Sequence, residues 1–260
     1  MFDRILFELK DGIGRLILNR PDVRNAIDIP TLHEIDRVLT DTENDDDVKV
    51  LILEGKGKVF CAGADLKGVL ESTKDTVAME QHLRLWHGTL NHLEAYPKVT
   101  IAKIHGLALA GGLELSMVCD LAVADEEARL GDQHSNFGLI GGGSGSQRLP
   151  RLIGTRRAKE LLFLGNWISG KEAERIGLIN KAVPADKLDE TINEMAARLA
   201  SKSLVASRTI KDLVDRGMQA DLYTALDLEV WACLRHNLTK DATEGITAFI
   251  EKRTPVFKGR

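Results

Sequence analysis

Two short glycine-rich turns hold the residues best suited to chemistry. Val59-Phe-Cys61-Ala-Gly63-Ala-Asp65-Leu-Lys67 has only small side chains from position 61 to 64, so a ligand could lie against its exposed N–H groups. Ala110-Gly111-Gly112 falls where a strand pattern gives way to a helix pattern. The first amides of a helix have no partner within it and carry the positive end of its dipole. Two such turns aimed at one point would form an oxyanion hole, a pair of N–H donors for the developing negative charge on a carbonyl oxygen. Glycine is concentrated in this part of the chain, with ten of the 23 between Gly106 and Gly154. Backbone there must approach something that side chains would obstruct.

Three other patterns are poor candidates. Gly165-Asn-Trp-Ile-Ser-Gly170-Lys171 has phosphate-loop spacing, but Glu172 stands where Ser or Thr would bind magnesium, and the preceding residues read as helix rather than strand. Gly141-Gly-Gly-Ser-Gly145 lacks the dinucleotide-binding spacing and the acidic residue some way downstream. His82, His87 and His92 are five apart, which rotates them around a helix instead of stacking them on a metal.

The elements that would position the two turns alternate as strand and helix. Ile5 to Leu9, Gly14 to Asn19 and Val48 to Leu53 read as strands, and Ile29, Leu32, Ile35 and Leu39 mark one face of a helix. A strand follows from Val99 to His105, then a glycine-punctuated turn from Gly106 to Gly112, a helix from Leu113 to Cys119, and a strand from Asp120 to Ala124. The run Asp41 to Asp47 reads as a solvated turn, and Val69 to His92 as a polar, helix-leaning wall segment. From about Leu149 the pattern becomes helical, with amphipathic stretches over 188–199, 204–215, 220–235 and 240–252.

Composition narrows the class. The 260 residues carry 35 Lys and Arg against 39 Asp and Glu, a net charge of −4, and 43% are hydrophobic, which excludes a disordered chain and any grip on nucleic acid through bulk charge. The longest stretch without a charged residue, Gln133 to Gln147, is mostly glycine and polar residues, so no membrane span is predicted. Cys61, Cys119 and Cys233 are too scattered for a disulfide framework and are expected as buried free thiols. With no secretory signal visible in Met1-Phe-Asp-Arg-Ile5, the expectation is a cytoplasmic protein.

The sequence resembles the crotonase family, the enoyl-CoA hydratase/isomerase superfamily. The resemblance rests on Ile101-Ala-Lys-Ile-His-Gly106-Leu-Ala-Leu-Ala110-Gly-Gly-Leu-Glu114-Leu-Ser-Met-Val-Cys119-Asp120-Leu121. Supporting matches are Asn19 to Ala26, Cys61 to Asp65, Gly145 to Leu149, Ile168 to Leu178 and Glu244 to Lys252, in family order over nearly the whole chain. It implies an α/β fold, the crotonase-like (ClpP/crotonase) spiral of ββα units with a helical C-terminal region. Residues 1–199 would form the core, and 200–260 would pack on that core or on an adjacent subunit of a homotrimer or dimer of trimers.

By the same resemblance the protein is an acyl-CoA enzyme. Ala64 and Gly111 would supply the oxyanion amides, Glu114 an acid–base carboxyl, and coenzyme A would enter as part of the substrate, with no metal or redox cofactor. Ala62, Asp65, Leu66, Lys67 and Gly112 would line the bound CoA, with Arg24 and Ala26 near its nucleotide end and Phe249 and Lys252 as C-terminal contacts. Leu113, Leu115 and Met117 around Glu114 are apolar, an environment that raises a carboxyl pKa toward the range useful in proton transfer. Hydratases of the family use a second glutamate, and its position is occupied here by His134. A histidine can exchange protons near neutral pH but lacks the carboxylate's two acceptors. Hydration of a 2-enoyl-CoA is therefore the first expectation, with double-bond isomerisation or C–C or thioester hydrolysis on the same fold as alternatives. A non-catalytic RNA-binding relative ranks below both, for want of a basic run.

Overall fold

The computed structural model describes residues 2–259. The chain runs β1 (Ile5–Lys10), β2 (Ile13–Leu18), α1 (Ile29–Thr42), β3 (Val50–Gly55), α2 (Leu66–Ser72), α3 (Thr76–Ala95), β4 (Val99–Ile104), β5 (Leu107–Leu109), α4 (Gly111–Met117), β6 (Leu121–Asp125) and β7 (Arg129–Gly131). It continues through α5 (Gly145–Ile153), α6 (Thr155–Leu164), β8 (Trp167–Ser169), α7 (Gly170–Arg175), β9 (Lys181–Val183) and α8 (Leu188–Ala200). The last three helices are α9 (Leu204–Gly217), α10 (Leu222–His236) and α11 (Lys240–Glu251).

Six strands form one sheet in the order β1-β2-β3-β4-β6-β9, antiparallel only between β1 and β2. The central strand β3 is apolar from Val50 to Leu53, where both of its faces are covered, and Glu54 near its end pairs with Arg15 and Lys103. Leu51 and Leu53 join Leu32, Ile35 and Leu39 of α1 and Leu90 and Leu93 of α3 on one side. Val50 and Ile52 join Leu188, Ile192 and Ala196 of α8 on the other. A second, three-stranded sheet has the order β5-β7-β8, its strands interleaved in the chain with β6 and β9 of the first.

Some expectations are met and others need correction. The segment from Gly106 to Gly112 is not only a turn, because Leu107–Leu109 pairs in parallel with β7. Strands β7, β8 and β9 are three residues each, too short for an alternating pattern to announce them. In the acidic run the carboxylates face water, but the backbone is tied down: the buried ammonium of Lys98 donates to the carbonyls of Thr42 and Asp45. Of the three free thiols, Cys61 is buried and Cys119 half-buried, whereas Cys233 is exposed on α10. The phosphate-loop look-alike at Gly165 is preceded by α6, and its Gly170 is pressed against the Asp125 carbonyl. On α3, His82 Nδ1 pairs with Ser72 Oγ and His92 Nδ1 with Asp36, and among the described residues no group of three His, Cys, Asp or Glu side chains is arranged to hold a metal ion.

Asn25 is the residue on which the first turn hangs. It is buried in a left-handed conformation (φ 56°), and its Nδ2 lies within hydrogen-bond distance of the carbonyls of Lys56, Val59 and Phe60 at 2.8 to 3.1 Å. Asn25→Ala removes the donor and leaves buried carbonyls unsatisfied, so unfolding by urea should show a loss of about 2–4 kcal/mol.

Candidate active site

In the turn after β3 the amides on both sides of Ala64 are engaged. Ala62 N–H donates to the Arg24 carbonyl (3.0 Å), Gly63 N–H to Cys61 Sγ (3.4 Å), and Asp65 N–H to the Ile27 carbonyl (2.8 Å). Ile27 N–H in turn reaches the Gly63 carbonyl (2.9 Å). The Arg20 guanidinium staples the same two segments, pairing with Asp65 (2.9 Å) and Asp28 (3.2 Å). Within residues 62–65, Ala64 N–H alone is left without a protein acceptor among the described residues.

The second turn repeats the device. Leu109 N–H donates to the Cys61 carbonyl (3.1 Å) and Ala110 N–H to the Gly131 carbonyl (2.9 Å), while Gly111 N–H, the first of α4, has no acceptor among the described residues. Each free amide follows a residue with positive φ, Gly63 at 111° and Ala110 at 49°. For alanine such a conformation costs about 1–3 kcal/mol and persists only where surrounding bonds enforce it. The turns touch: a Cβ on Gly111 would lie 3.2 Å from Ala64 N, and one on Gly63 would lie 3.2 Å from Gly111 N. Two uncommitted N–H groups therefore sit side by side, the geometry that polarises a carbonyl oxygen.

Glu114, one turn along α4, is 2% exposed. Its Oε1 accepts the N–H groups of Gly143 (3.0 Å) and Gly145 (2.9 Å). Burial pushes its pKa above the usual carboxylate value, and the two glycine amides and the His134 imidazole act against that push. The loop 141–145 must be this glycine-rich to come so close. A Cβ on Gly143 would sit 2.2 Å from Glu114 Oε2 and 2.1 Å from Trp86 Nε1, and one on Gly142 would sit 2.5 Å from Leu83.

His134 opens a single 3-10 turn after β7, beside the same loop. Its Cε1 and Glu114 Oε1 lie 3.3 and 3.1 Å from the point where a Cβ on Gly141 would be. Its Nδ1 is bonded to Asp132 Oδ1 at 2.9 Å, and that bond holds the imidazole pKa above its ordinary value. Asp132 and Trp86 escaped the reading of the sequence. The Asp-x-His spacing inside a glycine-flanked loop was the available signal for the first. Trp86 had none, since a tryptophan at helical spacing reads as core. Its indole N–H is buried without an acceptor, and its ring edge lies 2.6 Å from a Cβ built on Gly111.

Ala64, Gly111, Glu114 and His134 thus converge. The other residues named from the sequence are dispersed. Ala62 lies in the first turn, and Asp65 caps α2 through Lys67 N–H while pairing with Arg20. Leu66, Lys67 and Arg24 are exposed along the outer edge of that turn, with Ala26 half-buried beside them. Gly112 is a packing glycine, since a Cβ there would lie 2.3 Å from the Cys61 carbonyl oxygen. Phe249 and Lys252 stand at the end of α11, the phenylalanine 85% exposed. Burial raises the Cys61 thiol to about 12, so it is a packing group.

Comparison with known proteins agrees with this architecture. The family model described as enoyl-CoA hydratase/isomerase matches residues 8–260. A short-chain-enoyl-CoA hydratase of Clostridium acetobutylicum is 38% identical over 252 residues, covering 96% of both chains. A crotonyl-CoA hydratase of Syntrophomonas wolfei is 38% identical over 259 residues, covering 98% of both. The crystal structure of an enoyl-CoA hydratase from Bacillus anthracis superposes with a TM-score of 0.95 at 38% identity, covering 99% of this chain and 100% of that one. Likeness of this extent, in a backbone that brings two free amides together beside a buried glutamate, makes the chain a member of the enoyl-CoA hydratase/isomerase family of enzymes with the crotonase fold.

Proposed function

We propose that the protein hydrates a short 2-enoyl-CoA thioester, with Ala64 and Gly111 holding the thioester oxygen and Glu114 and His134 moving the protons. The observation that carries this reading is that a buried carboxylate and an imidazole both lie against Gly141, next to two uncommitted amides. Oxygen polarisation at the hole makes the β-carbon electrophilic. Glu114, whose Oε1 is held as an acceptor by two N–H groups, takes a proton from water as it adds there. The enolate collapses with protonation of the α-carbon by His134. The relatives named for short-chain enoyl-CoA and crotonyl-CoA suggest the acyl length, and Trp86 against Gly111 is a suitable stop for a short chain.

The substrate's anionic CoA moiety is assigned to Arg24, Lys67 and Lys252, cations that form no salt bridge among the described residues, with Ala26, Ala62, Leu66 and Phe249 as apolar contacts and no metal or redox cofactor needed. We assign residues 200–260 to subunit packing in a homotrimer or dimer of trimers, since Met218, Tyr223, Trp231, Leu234 and Ile250 leave α9 to α11 with exposed apolar surface. Three unpaired cysteines favour a cytoplasmic setting.

Incubation with crotonyl-CoA should yield a product heavier by one water, whereas a 3-enoyl-CoA shifted without mass change would instead indicate an isomerase, and release of free CoA a hydrolase. Glu114→Gln should lower kcat by about 10³-fold while CoA binding, measured by calorimetry, is retained; a loss below tenfold would remove Glu114 from the chemistry. The reaction needs Glu114 ionised and His134 protonated. The pH profile of kcat/KM should therefore rise at a pH above the usual carboxylate range, as Glu114 loses its proton, and fall at a pH above the ordinary histidine value, as His134 loses its own.

A further inference from the structure

Asp132 occupies the centre of the charged cluster, although neither free amide touches it. It is 2% exposed, and its Oδ1 accepts both the backbone N–H of His134 (3.1 Å) and the imidazole Nδ1 (2.9 Å). Its Oδ2 is buried without a hydrogen bond. That oxygen lies 3.3 and 3.1 Å from the points where Cβ atoms on Gly141 and Gly145 would sit, and Glu114 Oε1 lies 3.1 and 3.3 Å from the same two points. Two buried carboxylates therefore lie close together against a stretch of loop that has room for them because positions 141 and 145 are glycine. The charged groups facing His134 are these two, Asp132 and Glu114. A buried carboxylate with no cation beside it is costly, so the arrangement holds together with the imidazole as the compensating charge.

We propose that Asp132 is a positioning residue: it takes the Nδ1–H of His134, fixing the ring so that Nε2 is the proton-donating nitrogen toward the Glu114 chamber, and the pair replaces a lone second carboxyl group. The role in turnover rests on the hydration reading above, whereas the ring's orientation and charge do not. In the step, the electron pair of the enolate takes the Nε2 proton to form the C–H bond at the α-carbon. The imidazole is left neutral, its Nδ1–H still on Asp132. The proton that water gave to Glu114 then returns to Nε2, so one water is consumed and both groups end as they began. A bare imidazole could rotate or place its proton on the wrong nitrogen; a carboxylate partner prevents both.

The test uses the whole protein with ring-13C,15N-labelled histidine, His134→Gln supplying the assignment. In the wild type the neutral ring should carry its proton on Nδ1, and the His134 titration should lie above that of free histidine. Asp132→Asn keeps the shape and removes the charge. It should move the His134 titration and the alkaline limb of kcat/KM to lower pH and reduce kcat on crotonyl-CoA by about 100-fold or more, with KM little changed. A neutral ring protonated on Nε2 in the wild type overturns the proposal without need of any variant. So does an Asp132→Asn protein whose His134 titration stays in place. If the wild type fails to hydrate crotonyl-CoA, the hydration reading falls while the spectra still decide the role of Asp132.

Discussion

The site depends on the short ladder between Cys61 and β5. Cys61 N–H donates to the Leu107 carbonyl and Leu109 N–H donates back to the Cys61 carbonyl, at 3.0 and 3.1 Å. These bonds lock a turn from one crossover to a turn from another, 46 residues further on, and Gly112 lets α4 rest directly on the same carbonyl. The amides on either side of Ala64, and those of Leu109 and Ala110 before Gly111, then find acceptors, which leaves Ala64 and Gly111 N–H uncommitted beside each other. The unfavourable backbone at Ala110 is sustained by this cross-linking.

A second constraint follows from burying acidic groups together. Glu114 and Asp132 lie too deep for water to solvate them freely, and the chain meets this with glycine amides on Glu114 and an imidazole on Asp132. The amides can reach the carboxylate only because positions 143 and 145 have no side chain. The glycine-rich loop is therefore a donor surface for Glu114. It is pinned from behind by Leu83 and Trp86 of α3, which also bounds the space beside Gly111. One helix thereby bounds both the loop that holds Glu114 and the space beside Gly111.

Much of this was legible from local pattern. β1 to β4, α1 and β6 are long enough, and regular enough in their apolar spacing, to be read directly. Ala64, Gly111, Glu114 and His134 all came from turn chemistry and family resemblance, and they do converge. The three-residue strands β5, β7, β8 and β9 did not show, because a pairing of that length is decided by its neighbours rather than by its own residues. Asp132 and Trp86 stayed hidden for a related reason: an aspartate in a loop and a tryptophan on a helix each have an ordinary explanation until the partner is known.

The sequence by itself determined the alternation of strand and helix and the two amide-bearing turns, which depend on residue type and spacing along the chain, while its resemblance to a family pointed to the fold and to Glu114 and His134 as candidate acid–base groups. Only the tertiary structure decided which amides remain free, which nitrogen of His134 is held by a carboxylate, and that Glu114 and Asp132 lie together against Gly141 and Gly145. Those are contacts between segments distant in sequence, and the pKa and orientation of a buried group are set by what surrounds it in space.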